Sequence, residues 1–460
     1  MIHSIEPLKR IFFIGVAGTG MSALAQYLKG IGKEVTGSDR YFQPNTFNDT
    51  KSKLEAEGIQ CFVQDGSGIT AETDVVIVST AVEDTVPEVI KAKSLNIPIL
   101  KRSELLALIA ASKKTIAVGG TSGKSTTSGM LFQILEEAGL QPSIISGAGL
   151  VSIIQEGKIG NAKVGQGEWL VIEADESDGS IVQYHPEIGL LLNIDKDHKE
   201  IDVLLDIFQT FKSNSNTFIV NRSHPLAAPL SANAAFDFAT TPNTGAGFEA
   251  KDFKQEGFVC KFTVKDQEIT LNTVGRHNME NALAALTVAA SIGVPLATAA
   301  KALYKYEGIY RRHQIVGKVR GAWLIDDYAH NPAKCAASIA ACQPLAKKVI
   351  AWFQPHGYGP TRFLRNDFVH EIAEVLRPED EIWMSEIFYA GGTAVKDISA
   401  NDLIEDLKAL GKPAFFEEDR NKWPERIKES LGDDVVVLLM GARDPSLETY
   451  AQQVMDAFKR

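Results

Sequence analysis

Cysteine is scarce in this 460-residue chain: there are four, Cys61, Cys260, Cys335 and Cys342, with no CxxC pair and no metal-ligand spacing. That excludes a disulfide scaffold or a zinc ribbon and fits a reducing cytoplasm. Long apolar runs are missing too, since no stretch of about 18 apolar residues occurs, and no membrane span is expected. The early run "IFFIGVAG" is too short for a secretory segment and breaks straight into a glycine turn, so it reads as a first strand. Cations are outnumbered, 47 Lys and Arg against 58 Asp and Glu, for a net charge of −11. Duplex binding needs clustered cations to displace counterions, so no nucleic-acid partner is expected. Low-complexity tracts and repeats of fixed period are absent as well.

What is present is ordinary globular composition, 45% hydrophobic and 23% charged, at a length that suggests about three domains of roughly 100–200 residues. From Arg10 to about Ser112, apolar runs such as "RIFFIG" and "DVVIVST" alternate with helical stretches, including one expected over 18–31 and another over 47–58. This is the pattern of a parallel, doubly wound sheet. A second α/β series opens at Thr115 and includes "WLVIEAD" and "IGLLLNI"; between 236 and 272 it is interrupted by short alternating strands with a hairpin turn at 265–267. A third series, "AWLIDDYA", "KVIAWFQP", "DEIWMSEI" and "DVVVLLMGA", follows Arg311. The expected domains are 1–112, 113–310 and 311–460: α/β throughout, with Rossmann-like outer domains and a P-loop ATPase-like centre.

Two glycine turns follow strands. In "VGGTSGKSTT" the glycines Gly119, Gly120 and Gly123 let backbone amides approach an anion at a helix N-terminus. Lys124 would reach β- and γ-phosphates and Ser125 a magnesium ion. The first turn spells G-x-x-G-x-G through Gly15, Gly18 and Gly20, with Asp39 ending the next strand where a dinucleotide fold places an acid for ribose hydroxyls. A plain packing turn and a dinucleotide site both remain open there.

Acids crowd strand ends. "VIEADESDGS" carries Glu173, Asp175, Glu176 and Asp178, which repel one another unless cations compensate, so a magnesium site is the natural reading. "NIDKDHKEID" adds Asn193, Asp195, Asp197 and His198. "GRHNMENALAA" places Asn278 and Asn281 at a helix start, and "YRRHQ" offers two guanidiniums, Arg311 and Arg312, for phosphate. "DDYAHNP" and "FQPHGYGPTRFLRNDF" end two further strands with Asp326, Asp327, Tyr328, His330, His356, Arg362 and Arg365.

The order of "GTSGKSTT", "EADESD", "NIDKDH", "GRHNMENALAA", "RRH" and "DDYAHNP" resembles that of the Mur ligases, ATP-dependent amide-forming enzymes of peptidoglycan synthesis, over essentially the whole chain. "GVAGTGMSALAQYLKGIGKEVTGSD" is similar to the branch that takes UDP-N-acetylmuramate itself and joins it to an amino acid, L-alanine favoured, or to a short peptide. The resemblance implies a UDP-sugar site at Gly15, Gly18, Thr19, Gly20, Met21, Ser22, Ser38 and Asp39. It implies an ATP site at Gly120, Thr121, Gly123, Lys124, Ser125, Thr126, Asn281, Arg312 and Asp327. Mg2+ would be held by Ser125, Glu173 and His198. The acceptor would meet Tyr328, His330, His356 and Arg362, and Lys124, Glu173, His198 and His330 would serve catalysis. Ser122, Ser125 and Asn331 stand where relatives in that branch usually have His, Thr and a second His, Asn331 resembling other Mur-like ligases. Gly357 and Pro360 stand where its alanine-joining members typically have arginines, and this shifts the expected carboxylate clamp to Arg362, to Arg365 or to residues from elsewhere in the third domain.

Overall fold

The computed structural model describes residues 2–80, 82–196, 199–389, 391 and 395–460. Two compact units emerge. The first comprises Met1–Lys251, Thr263–Ile269 and Glu280–Ile309; the second comprises Asp252–Phe262, Thr270–Met279 and Tyr310–Arg460.

The first unit holds two sheets. Strands β1 (Arg10–Ile14), β2 (Glu34–Ser38), β3 (Gln60–Phe62), β4 (Val75–Val78) and β5 (Ile99–Lys101) pair in the order β3-β2-β1-β4-β5, all parallel. "FFI" and "VVI" are buried without alternation because helices cover both faces of a parallel sheet. The second sheet has β6 (Lys114–Gly119), β7 (Ser143–Ile145), β8 (Ala162–Lys163), β9 (Trp169–Glu173), β10 (Ile188–Leu191) and β11 (Thr217–Val220) in the order β11-β10-β6-β9-β7-β8, with β8 antiparallel to β7.

The interruption of the second series consists of β12 (Phe238–Ala239), β13 (Phe248–Glu249), β14 (Lys251–Glu256), β15 (Val259–Val264) and β16 (Gln267–Leu271). The turn after β15 puts Lys265 (φ 46°) and Asp266 (φ 67°) in the left-handed region, as a two-residue hairpin of the primed type requires.

The second unit is built on β17 (Gln314–Val319), β18 (Ala322–Asp327), β19 (Lys348–Gln354), β20 (Glu381–Met384), β21 (Ala414–Phe416) and β22 (Val435–Gly441). Their order is β17-β18-β22-β19-β20-β21, with β17 antiparallel to β18. β22, seven residues and all buried, is central.

The helix expected over 18–31 is Thr19–Gly30, and that expected over 47–58 is Asp49–Ala56, begun by the Asn48 side chain accepting from the Lys51 amide. β3, β7 and β8 have three residues or fewer, too few to show a period in the sequence. All four cysteines are free and buried. Burial pushes the Cys61 thiol up to about 12 and that of Cys260 to about 11, and raises Cys335 and Cys342 further. Among the described residues no helix is long and apolar enough to cross a membrane.

Candidate active site

The central glycine turn leaves β6 through Gly120 (φ 136°) and Gly123 (φ 86°) into the helix Lys124–Glu137. Gly123 is fixed by more than its backbone angle, since a Cβ there would lie 2.3 Å from Asn281 Oδ1. That same amide oxygen accepts from Thr127 Oγ1 at 3.2 Å, so Asn281 packs under the turn. Asn193, past the end of β10, holds the turn from the other side: its Oδ1 accepts from Thr121 Oγ1 (3.0 Å) and the Ser122 amide (2.8 Å), and its Nδ2 donates to the Ser122 carbonyl. Thr121 Oγ1 in turn accepts from the Asp195 amide at 3.0 Å. The Thr126 carbonyl accepts from Tyr306 Oη at 3.5 Å.

Lys124 folds back over its own turn, donating to the Gly120 carbonyl (2.6 Å) and to Glu176 Oε2 (2.7 Å). Burial alone would lower its pKa; Glu176 and Asp175 override that and hold it raised. The four acids at and just past the end of β9 therefore divide rather than forming one cation site. Glu176 pairs with Lys124, and Asp178 with Arg102 at 2.9 Å. Asp175 accepts from the Ser177 amide, and against its burial Lys124 keeps its pKa lowered.

Glu173 remains. Its Oε2 accepts from Ser125 Oγ at 3.0 Å, and its Oε1 from Ser146 Oγ (2.7 Å) and the Gly147 amide (2.6 Å). Among the described residues no three His, Cys, Asp or Glu side chains gather to hold a metal. One hydroxyl and one carboxylate at a phosphate turn nevertheless suit magnesium, which keeps several waters and takes few protein ligands beside substrate phosphates. His198 and Asp197 lie outside the described residues.

At the first turn, the Gly15 and Val16 amides donate to the Ser38 carbonyl at 2.8 and 3.0 Å. Both oxygens of Asp39 are engaged, by the Ala17 and Tyr41 amides at 3.0 Å each, so this acid braces the turn against β2 while retaining lone pairs for a ligand. Gly18 and Thr19 are exposed, whereas Met21 and Ser22 are buried. The Ser22 hydroxyl donates to the Thr19 carbonyl and accepts from Asn161 Nδ2.

In the second unit, adjacent arginines part ways. Arg311 is buried against Asp326 (Nε to Oδ2, 2.9 Å) and donates to the Gly441 carbonyl at 3.1 Å, which corrects the expectation of two guanidiniums open to phosphate. Arg312 lies over the Tyr328 ring at 4.9 Å. From there a row of rings continues: Tyr328 to His330 at 5.6 Å and His330 to His356 at 5.7 Å, at the carboxyl ends of β18 and β19. Asp327 accepts from Ser338 Oγ at 2.7 Å and faces His313. Asn331 caps the helix Pro332–Cys342 by accepting from the Lys334 amide. Arg362 stands on Asp397 and the Val395 carbonyl, and Arg365 grips Asp406 with two bonds, of 2.7 and 3.0 Å, so both expected clamps already hold carboxylates of the chain.

His330 Nδ1 lies 2.8 Å from the Tyr328 carbonyl, which only accepts, so Nδ1 carries the proton and Nε2 the lone pair. Burial, then Lys334, pushes its pKa down to about 3; burial, then His313, does the same for His277. An unfolded histidine titrates near 6.5, so the unfolded chain binds these protons first as pH falls. The stability from keeping the rings neutral is full above about pH 6.5 and declines toward pH 3, by about 1.4 kcal/mol per pH unit for each ring. Thermal unfolding from pH 7 to 4 is expected to flatten in His277→Gln and in His330→Asn relative to the parent. Equal pH slopes in all three would refute the assignment.

The sheets and their strand-end sites define a nucleotide-binding α/β protein with two glycine turns and a third, mostly parallel sheet. Residues 10–114 match the Mur ligase family catalytic domain, 118–289 the Mur ligase middle domain, and 311–443 the Mur ligase glutamate ligase domain. Curated UDP-N-acetylmuramate–L-alanine ligases are similar along nearly their whole length. That of Carboxydothermus hydrogenoformans is 33% identical, covering 96% of this chain and 95% of its own, and that of Geotalea uraniireducens is 33% identical, covering 95% of each. The chain belongs to the Mur ligase family. Among solved structures, the UDP-N-acetylmuramate-alanine ligase of Thermotoga maritima is 25% identical, with a TM-score of 0.79 over 98% of this chain and 99% of its own. A murein peptide ligase of Psychrobacter arcticus, at 20% identity, shares the fold with a TM-score of 0.67 over 98% and 99% of the two chains.

Ser146, Asn161 and the Lys124 to Glu176 pairing are what the motifs did not reveal. Glu176 lies within "EADESD", which does not name its partner 52 residues away, while Ser146 and Asn161 carry no local signal at all.

Proposed function

We propose that this chain uses ATP to join the lactoyl carboxylate of UDP-N-acetylmuramate to an amino acid, with L-alanine as the first choice. The observation that carries the reading is the Lys124 turn with Ser125 set against Glu173, in a chain similar throughout to ligases of that name. A carboxylate is a poor electrophile; phosphorylation by ATP gives an acyl phosphate that an amine attacks, releasing phosphate. Lys124 offsets charge as the carboxylate nears the γ-phosphate. Ser125 and Glu173, with His198, are assigned to Mg2+, which when bound would neutralise phosphate charge.

Gly15, Gly18, Thr19 and Gly20 are assigned to the nucleotide sugar, with Met21, Ser22, Ser38 and Asp39 shaping the turn. Thr121, Thr126, Asn281, Arg312 and Asp327 are assigned to ATP. Tyr328, His330 and His356 are assigned to the acceptor, with Arg362 if it exchanges Asp397 for the acceptor's carboxylate. His330 offers Nε2 as an acceptor of a hydrogen bond from the incoming amine; a group titrating near 3 does not store that proton, so a phosphate oxygen is the better sink. The functional division proposed is 1–112, 113–310 and 311–460, and the four free thiols suit the cytoplasm.

The deciding measurement is phosphate release by the full chain with UDP-N-acetylmuramate and L-alanine, L-serine, glycine or L-alanyl-γ-D-glutamyl-diaminopimelate. Release with L-alanine above the rest is expected; preference for the peptide would make this a recycling ligase. ATP binding with no release for any pair would leave a non-catalytic nucleotide-binding protein. Calorimetry on the same protein is expected to show heat with UDP-N-acetylmuramate and none with NADH, and the reverse would overturn the assignment of the first turn.

A further inference from the structure

Asn161 is fully buried, and every hydrogen-bonding direction of its side chain leads to the helix that follows the first glycine turn. Its Nδ2 donates to the Thr19 carbonyl at 2.7 Å and to Ser22 Oγ at 2.9 Å, and its Oδ1 accepts from Gln26 Nε2 at 2.7 Å. Gln26 also donates to the Ser22 carbonyl, so one amide grips the first two turns of that helix. The backbone of Asn161 leads the other way. It precedes β8, whose Ala162 pairs with Ile145 of β7, and its carbonyl accepts from the Ser146 amide at 2.9 Å. Ser146, also buried, donates through Oγ to Glu173 Oε1, which the Gly147 amide approaches as well. Glu173 Oε2 is thereby turned toward Ser125 on the phosphate turn.

A continuous set of short hydrogen bonds thus runs from the first glycine turn to the carboxylate beside the second. Two donors on Oε1 fix the rotation of the carboxylate, leaving Oε2 for a cation shared with Ser125. Resting on the ligase reading above, we propose that Asn161 and Ser146 are positioning residues that link the two ligand sites. A nucleotide sugar that orders residues 19–26 steadies Asn161, and through Ser146 it steadies the carboxylate meant for magnesium. Supporting groups one bond removed from a metal ligand typically change metal affinity about 10–100-fold when lost, and linked sites typically differ about 5–150-fold in affinity with and without the other ligand. Linkage of this kind is reciprocal, so the nucleotide and its metal also tighten the sugar.

The test is calorimetric titration of Mg2+ into the full chain with a saturating non-hydrolysable ATP analogue, with and without UDP-N-acetylmuramate. In the parent, the sugar nucleotide is expected to tighten Mg2+ about fivefold or more. In Ser146→Ala, Mg2+ binding is expected to weaken about tenfold and the gain from the sugar nucleotide to fall within twofold of one. Asn161→Ala is expected to lose the gain as well. If Asn161→Ala does not fold, Ser146→Ala decides alone, because it leaves every contact to residues 19–26 in place. A purely structural role would lower the melting temperature and leave the gain intact, and that result, or a parent without any gain, overturns the proposal. Failure of either ligand to bind the parent at all would instead strike the ligase reading on which it rests.

Discussion

Lys124→Ala is expected to lower ATP-dependent phosphate release by about 10²-fold or more, the scale set by losing one preorganised charge stabiliser. The glycines bring amides to a phosphate, but only the ammonium supplies a full charge where the γ-phosphate meets a second anion. That ammonium donates to Glu176 and to the Gly120 carbonyl, which leaves one of its three N–H donors for a phosphate. This complicates the variant: Glu176 is only 4% exposed, and without Lys124 it is a buried charge with no cation. Breaking such a pair by removing one partner costs about 3–5 kcal/mol. The double change Lys124→Met with Glu176→Gln separates the two effects, since it is expected to recover stability and not activity. Turnover of Lys124→Ala within a few-fold of the parent would remove this turn from the chemistry.

The second large effect is one of stability. Arg311 and Asp326 are both buried and bonded at 2.9 Å, with the guanidinium also on the Gly441 carbonyl at the end of the central strand. Arg311→Met leaves Asp326 charged in a dry place and is expected to destabilise the second unit by about 3–5 kcal/mol; adding Asp326→Asn is expected to recover much of that, since neutral replacement of both partners is often harmless. The pH dependence has a definite sign. Burial raises the Asp326 pKa even with Arg311 opposing it, so the folded carboxyl holds its proton to higher pH than the unfolded one. The deficit of Arg311→Met is therefore expected to shrink as pH falls through the folded pKa and Asp326 becomes neutral. Of the five tryptophans only Trp169 lies in the first unit, so urea unfolding followed by their fluorescence reports mainly on the second. An unfolding midpoint unmoved by Arg311→Met would show that the pair contributes nothing net.

These two cases mark how far the sequence could be read. Contiguity made the Lys124 turn legible: strand, glycines, lysine and hydroxyls follow one another, and so do their functions. The parallel strands were legible because burial on both faces writes an unbroken apolar run, as in "VVVLLMG". Arg311 and Arg312 are the same residue side by side, and what separates them is a left-handed backbone at Arg311 (φ 55°) that a string of letters does not carry. Arg362 and Arg365 look available as clamps in the sequence because their partners, Asp397 and Asp406, come 35 and 41 residues later. Asn161 was invisible for the same reason, its contacts to Thr19 and Ser22 spanning about 140 positions in the chain.

The four buried cysteines have a practical side. A thiol reacts as its thiolate, and here each is both covered and held well above its usual range of about 8–9. The protein is therefore already a nearly silent background for maleimide chemistry at neutral pH, with no cysteine to remove first. A pair of new cysteines at exposed positions, Phe47 in the first unit and Val395 in the second, would accept a donor and an acceptor dye on an otherwise unaltered chain. The distance between the two labels could then be read one molecule at a time, with and without each ligand.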